Sequence, residues 1–173
     1  SEMCIRDRVE AKFDENMLEE VLDEAGVEGV YTSIGTYPHS EMVQLVVALS
    51  AKSGVEIPEL LRAFGGYLFN SFTRLYPSFF EHVDNSLDFL EQVEGVIHVE
   101  VKKIYPSAQL PRFETKRIGS KSLEMIYHSD RKMGELAVGL IRGCFDFFKE
   151  DGEVKIVGAA ADDTVVTFLI EVK

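Results

Sequence analysis

The chain has 173 residues, of which 46% are hydrophobic and 28% charged, and its formal net charge at pH 7 is −12. This length is enough to bury one hydrophobic core, so we expect a single domain over residues 1–173. Surfaces that bind nucleic acid or anionic lipid need clustered Lys and Arg, so the acidic balance argues against both and leaves a small ligand or a protein partner.

Cysteine usage and hydropathy narrow the setting further. The two cysteines, Cys4 and Cys144, are far apart in sequence and form no CxxC pair. This argues against a disulfide framework and a cysteine zinc site, and it favours a reducing, cytoplasmic location. No apolar run reaches the roughly eighteen residues of a membrane span, so we expect no membrane insertion.

The N-terminal residues 1–8, SEMCIRDR, carry neither a helical apolar stripe nor a signal-peptide pattern. We therefore expect residues 1–8 to be non-native and the true first helix to be truncated. From Asp14 to Ala25 apolar residues recur at helical spacing and Gly26 follows, which predicts a short surface helix.

Two longer helical patterns follow. Ser40 offers an N-cap for a helix over Glu41–Ser53. Pro58 occupies a position that the first turn of a helix accepts, and the pattern continues to Pro77. Because this second helix is apolar nearly all round, we predict that it is buried.

A fourth helical pattern begins near Asp84 or Asn85 and runs to Ile104, before the break YPSAQLP. His98 lies beside its apolar stripe, on the same side as Val101. Most lone histidines in this position are packing residues whose polar nitrogen finds a neighbour, but imidazole that faces a cavity can bind a metal. The other histidines are weaker candidates for a ligand: His39, His82 and His128.

The remaining chain predicts strands around one helix. FETKRI and SLEMIYH read as two strands joined by residues 119–121, and EVKIVGA and TVVTFLIEV flank Asp162 and Asp163 as a closing hairpin. Between them, Arg131 to Lys149 turns helical. The fold class is therefore α+β, with a helical N-terminal lobe and a C-terminal lobe of antiparallel sheet with a helix.

Three polar side chains alternate at the end of the SLEMIYH strand. In an extended chain Tyr127, Ser129 and Arg131 share one face, where two hydroxyls and a guanidinium make a donor-rich fork for a carboxylate or phosphate. The alternative is an ordinary solvated face. Leu123 and Met125 precede them on that face and are apolar, which is typical of a pocket rim.

These elements, in this order, resemble the haem nitric oxide/oxygen binding (H-NOX) domains over about residues 10–173. The segment 97–104 resembles the helix with the proximal histidine, and LPRF at 110–113 follows at the family's distance. Tyr127, Ser129 and Arg131 reproduce the YxSxR signature. Segments 63–65 and 68–70 resemble the distal helix.

The resemblance implies a haem b (protoporphyrin IX iron) cofactor between the two lobes. His98 would ligate the iron, Tyr127, Ser129 and Arg131 would bind the propionates, and Pro111 would press on the porphyrin and distort it. Gly65 and Gly66 do not form a phosphate motif and would allow close approach of a helix or the haem. The resemblance assigns the other cofactor contacts to Phe113, Leu68, Phe69, Phe72, Ile97, Leu136 and Leu140.

The resemblance also implies a gas sensor. Oxygen-binding members supply a distal tyrosine, whereas Leu68 and Leu136 at the two distal positions cannot donate a hydrogen bond. We therefore expect binding of nitric oxide and carbon monoxide but no stable oxygen complex, with Tyr67 pointing about 100° away from Leu68. Release of His98 would signal to a partner in trans, typically a histidine kinase or a cyclic-dinucleotide enzyme.

No nucleophile–base pair or carboxylate dyad is recognisable, so we do not expect an enzyme. A haem peroxidase is disfavoured because no distal His or Arg is placed to cleave an O–O bond. Two alternatives stay open: a haem-less module that binds another tetrapyrrole or hydrophobic carboxylate, and an oxygen-binding haem protein. Since Cys144 is the only cysteine in the C-terminal part, we expect no structural zinc.

Overall fold

The computed structural model of this chain describes residues 39–104, 106 and 110–173, with side chains from residue 46 onward. The predicted helix over residues 14–25, and residues 1–8, lie outside the described residues. Within the described part no helix has the length and apolar content that crossing a membrane requires.

The first two described helices are α1, His39–Ser53, and α2, Ile57–Leu75. Helix α1 begins before the predicted cap, so Ser40 lies inside it, a shift of the size expected at frayed helix ends. Helix α2 starts with Pro58 in its first turn, as predicted. It ends at Leu75 because Pro77, which opens a short 3-10 turn over Pro77–Phe80, cannot continue an α-helix.

The predicted helix up to Ile104 is real but not uniform. It consists of α3, Ser86–Gln92, a π-helical turn, Val93–Ile97, and α4, His98–Ile104. Asn85 caps α3, because its side chain accepts the backbone N–H of Asp88 at 2.9 Å. The wide turn directly before His98 was not predicted, since the apolar spacing alone does not distinguish it from an α-helix.

The C-terminal part contains four antiparallel strands in the order β1-β2-β4-β3. Helix α5, Gly134–Phe148, connects β2 to β3. It begins three residues later than predicted, because Lys132 adopts a left-handed conformation with φ of 55° that a helix cannot contain. The strands are β1, Arg112–Gly119, β2, Ser122–His128, β3, Gly152–Ala159, and β4, Val165–Val172.

One face of the sheet is buried. Leu123, Met125 and Tyr127 alternate inward on β2, and they join one hydrophobic cluster with buried residues of α2, α3 and α5. Phe168 of β4 lies opposite Met125 and is fully buried. The helical lobe and the sheet therefore share a core, which confirms the predicted α+β class.

Candidate functional site

One cavity is lined by side chains of helices α2 to α5 and of strands β1 and β2. Every residue that the sequence predicted for the site lines this cavity. Five lining residues are polar: Tyr76, His98, Tyr127, Ser129 and Arg131. The predicted apolar residues along its walls are Leu68, Phe69, Phe72, Ile97, Pro111, Phe113, Leu136 and Leu140.

Helices α2 and α5 form an apolar part of the wall. Leu68 of α2 is 1% exposed and Leu136 of α5 is 7% exposed, and both line the cavity. Tyr67 is not among the lining residues of the described part, in agreement with its predicted direction away from Leu68. At Leu68 and Leu136 the cavity therefore meets only hydrocarbon.

His98 begins α4, and its side chain is 15% exposed. Its Nδ1 atom lies 3.2 Å from Oε2 of Glu94, one turn earlier. An ionised carboxylate can only accept, so this contact assigns the proton of the neutral ring to Nδ1. Among the described residues Nε2 makes no hydrogen bond, so its lone pair is available to a ligand in the cavity.

The electrostatics keep this imidazole neutral. Burial lowers the pKa of His98, while the charge of Glu94 and its hydrogen bond raise it by less; the charge of Lys102 lowers it further. A neutral imidazole is the form that binds a metal. The described residues contain no group of three or more His, Cys, Asp or Glu side chains able to hold a metal ion, so His98 suits a metal whose other ligands come from a cofactor.

The second polar group of the cavity is built around Tyr127. Burial raises the pKa of Tyr127, and hydrogen bonds from Ser129 and the backbone of Met133, with the charge of Arg131, act against that increase. The Met133 N–H donates to the phenol oxygen at 3.1 Å. Three side chains with hydrogen-bond donors are therefore held together at one part of the cavity.

The backbone that holds this group differs from the prediction. Strand β2 ends at His128, so Ser129 and Arg131 do not share its face by strand alternation. The chain leaves the sheet in a turn in which the Ser129 hydroxyl accepts the Arg131 N–H at 3.2 Å. The Ser129 N–H still donates to the Thr164 carbonyl at 2.9 Å, which anchors the turn to the sheet.

Phe113 connects the two polar parts of the cavity. Its ring centroid lies 5.7 Å from that of His98 and 5.6 Å from that of Tyr127. An apolar cavity with a neutral imidazole and a separate set of donors suits a flat, hydrophobic ligand that carries a metal and an anionic edge.

Sequence reasoning missed two residues of the site. Glu94 could have been found from its i, i+4 spacing to His98, which places the two side chains together on a helix. Tyr76 lines the cavity just past the end of α2, a position without a helical periodicity to reveal it. Of the other histidines, His82 is exposed, and His128 contacts Glu114 at 2.7 Å outside the cavity. The side chain of His39 lies outside the described part.

Comparisons with known proteins agree with this architecture. The family model described as Haem-NO-binding matches residues 3–156. A search of curated proteins found no match. The crystal structure of an Fe(II) unliganded H-NOX protein from K. algicida is 37% identical, with a TM-score of 0.78 over 98% of this chain and 92% of that chain.

Two further structures are similar. The solution structure of the IWP-051-bound H-NOX from Shewanella woodyi in the Fe(II)CO ligation state is 36% identical. It covers 96% of this chain and 90% of that chain with a TM-score of 0.72. An H-NOX protein from S. oneidensis in the Fe(II)NO ligation state is 23% identical, with a TM-score of 0.79 over 98% and 95% of the two chains, which shows the shared fold.

Proposed function

The chain belongs to the haem-NO-binding (H-NOX) family, and we propose that it is a sensor that binds nitric oxide and carbon monoxide, but not dioxygen, at ferrous haem b. The family binds haem and senses gases. The ligand selectivity, the role of each residue and the partner are the parts that we propose for this chain.

The observation that carries the proposal is the state of His98. The ring is largely buried in an apolar cavity, its Nδ1 is engaged by Glu94, and its neutral form leaves the Nε2 lone pair facing no described donor. Neutral imidazole with one nitrogen hydrogen-bonded is the usual state of a histidine that ligates a metal. We assign His98 as the iron ligand.

The donor set also fits the cofactor. Haem is an apolar disc with two carboxylates on one edge, and when bound it supplies an iron atom with an open position for a diatomic gas. Tyr127, Ser129 and Arg131 would bind the carboxylates. Pro111 and Phe113, which follow α4 in the chain and line the cavity, would contact the disc near His98.

Gas selectivity follows from the apolar wall. Bound dioxygen is strongly polarised and depends on a nearby hydrogen-bond donor, whereas nitric oxide and carbon monoxide depend on one far less. Leu68 and Leu136 are buried and have no polar side-chain atom to offer. They would therefore exclude water and leave dioxygen without stabilisation.

The output is a conformational change. When nitric oxide binds, His98 would leave the iron, and α4, in which no residue is fully buried, would move with it. A ligand that binds one of two conformations more tightly shifts the protein toward that conformation. The listener would be a protein in trans, a histidine kinase or a cyclic-dinucleotide enzyme, in the cytoplasm.

Absorption spectra of the reduced protein, alone and with nitric oxide, carbon monoxide or air, test this proposal. We expect a haem Soret band that shifts with nitric oxide and carbon monoxide, and no stable oxygen complex. His98→Gly should lose the native iron coordination and recover it with added imidazole. Failure of the wild-type protein to take up haem, or a His98→Gly variant with unchanged coordination, would refute it.

One observation favours a second candidate function, oxygen binding. Tyr76 lines the cavity and carries a phenol hydroxyl, which is the type of donor that oxygen-binding haem proteins of this family use. Tyr76 also packs against Phe79, with ring centroids 5.4 Å apart, so its ring is held by neighbours. A stable oxygen complex of the wild-type protein would support this candidate.

A further inference from the structure

We propose that Glu94 is a positioning residue that fixes the ring of His98 for iron binding and joins it to the first strand of the sheet. The inference rests on the proposed function, because it concerns the orientation and electron density of the assigned iron ligand.

A single oxygen of Glu94 makes both contacts. Oε2 accepts Nδ1–H of His98 at 3.2 Å and the backbone N–H of Phe113 at 2.9 Å. Phe113 is the second residue of β1 and also packs its ring against His98. Glu94 therefore holds the imidazole from α4 and the beginning of the sheet in one arrangement.

The π-helical turn places Glu94 where it can do this. The backbone N–H of His98 bonds to the carbonyl of Val93, five residues earlier, instead of to that of Glu94. A turn of this kind inserts one residue into a helix, and such turns are frequent at functional sites. Here it sits between the carboxylate and the imidazole that the carboxylate contacts.

The contact has an electronic consequence for the ligand. A carboxylate that accepts the second N–H of a metal-bound histidine fixes the tautomer and raises the basicity of the other nitrogen. With Glu94 in place, Nε2 of His98 would be a stronger donor to iron than an imidazole hydrogen-bonded to a neutral group. The side chain of Glu94 is 44% exposed, so the carboxylate lies at the edge of the cavity, where its charge is retained.

Two substitutions separate the charge from the contact. Glu94→Gln keeps a carbonyl oxygen that can accept both N–H groups but removes the charge, whereas Glu94→Ala removes both hydrogen bonds. Glu100→Gln is the matched control, since it neutralises a carboxylate two residues after His98 that pairs with Lys103 at 2.6 Å instead of with the ring.

The measurement is the iron–histidine stretching band of the reduced, haem-loaded protein in resonance Raman spectra. We expect a shift to lower frequency in Glu94→Gln, a larger change in Glu94→Ala, and none in Glu100→Gln. Haem affinity should fall by about tenfold or more in Glu94→Ala. The five-coordinate share of the nitric oxide complex should rise in the order wild type, Gln, Ala.

The two levels of the argument fail differently. A wild-type band that is unchanged in Glu94→Gln and Glu94→Ala would overturn the positioning role and leave the proposed function intact. Absence of any iron–histidine band in the wild-type protein would refute the assignment of His98 itself. If Glu94→Ala does not fold, Glu94→Gln alone decides the electronic role.

Discussion

Gly65 of α2 and Gly139 of α5 pack backbone against backbone. A Cβ atom on Gly65 would lie 2.9 Å from the Cα of Gly139, and one on Gly139 would lie 2.7 Å from the carbonyl carbon of Arg62. These distances are shorter than real Cβ contacts allow, so the crossing requires glycine on both helices. This confirms that Gly65 permits a close helix approach, and it fixes the spacing of the two helices that carry Leu68 and Leu136.

Gly65→Ala should therefore destabilise the protein. The added methyl group meets rigid backbone of α5, and we expect a loss of about 1–3 kcal/mol in the free energy of unfolding. Gly66→Ala is the matched control, because its Cβ would be 3.9 Å from the carbonyl oxygen of Gly139, an ordinary contact. Since Ala is a better helix former by about 1 kcal/mol, Gly66→Ala should be neutral or stabilising. Urea denaturation of both variants measures the difference; equal stabilities would contradict this packing.

Leu136→Tyr tests the apolar wall. A phenol at this position places a hydrogen-bond donor in the cavity, so the reduced protein should oxidise more slowly in air or form an oxygen complex. Leu136→Phe adds the same ring without the hydroxyl and should not gain oxygen binding. Spectra of the two reduced variants after exposure to air decide the question. Identical behaviour of the two would show that the hydroxyl does not reach the ligand.

Tyr76→Phe tests whether the one missed tyrosine of the cavity affects selectivity. If Leu68 and Leu136 determine the response to oxygen, removal of the Tyr76 hydroxyl should leave the affinities for nitric oxide and carbon monoxide within about twofold of wild type, since neither gas depends strongly on a donor. The measurement is ligand titration of the reduced protein followed by absorption. A large loss of affinity, or the loss of a wild-type oxygen complex, would favour the second candidate function.

Glu150 secures the helix that leads to His98. Its carboxylate accepts the hydroxyl of Ser86 and the backbone N–H of Ser86 at 3.3 Å, at the N-terminus of α3. Ser86 is fully buried, so losing the charged acceptor in Glu150→Gln should cost about 1.5–3 kcal/mol of stability. Thermal unfolding of Glu150→Gln and of the exposed control Glu153→Gln measures the effect. An effect of equal size in both would contradict a specific role.

Much of the fold was predictable from local patterns. Pro58 marked the start of α2, Asn85 marked the cap of α3, and alternation in β2 identified its buried face. The π-helical turn and the true end of β2 were not predictable, because both depend on contacts between distant residues. Ser129, for example, is anchored by the carbonyl of Thr164, which lies 35 residues later in the chain.

The site was predicted in its membership more than in its geometry. The family resemblance named the residues that line the cavity, but the way in which Tyr127, Ser129 and Arg131 meet depends on a turn and not on strand alternation. Glu94 was missed because a carboxylate on a helix surface usually serves solubility, and only the coordinates of Phe113 reveal its second contact.

The widened turn over Val93–Ile97 has one more consequence. Each residue of an α-helix advances the chain by about 100° around the axis, so the extra residue sets the azimuth of His98 relative to α3. Chain length between Gln92 and His98 therefore aims the imidazole. Deleting the exposed Gly95 would swing the ring out of the cavity although every side chain that lines it would be retained.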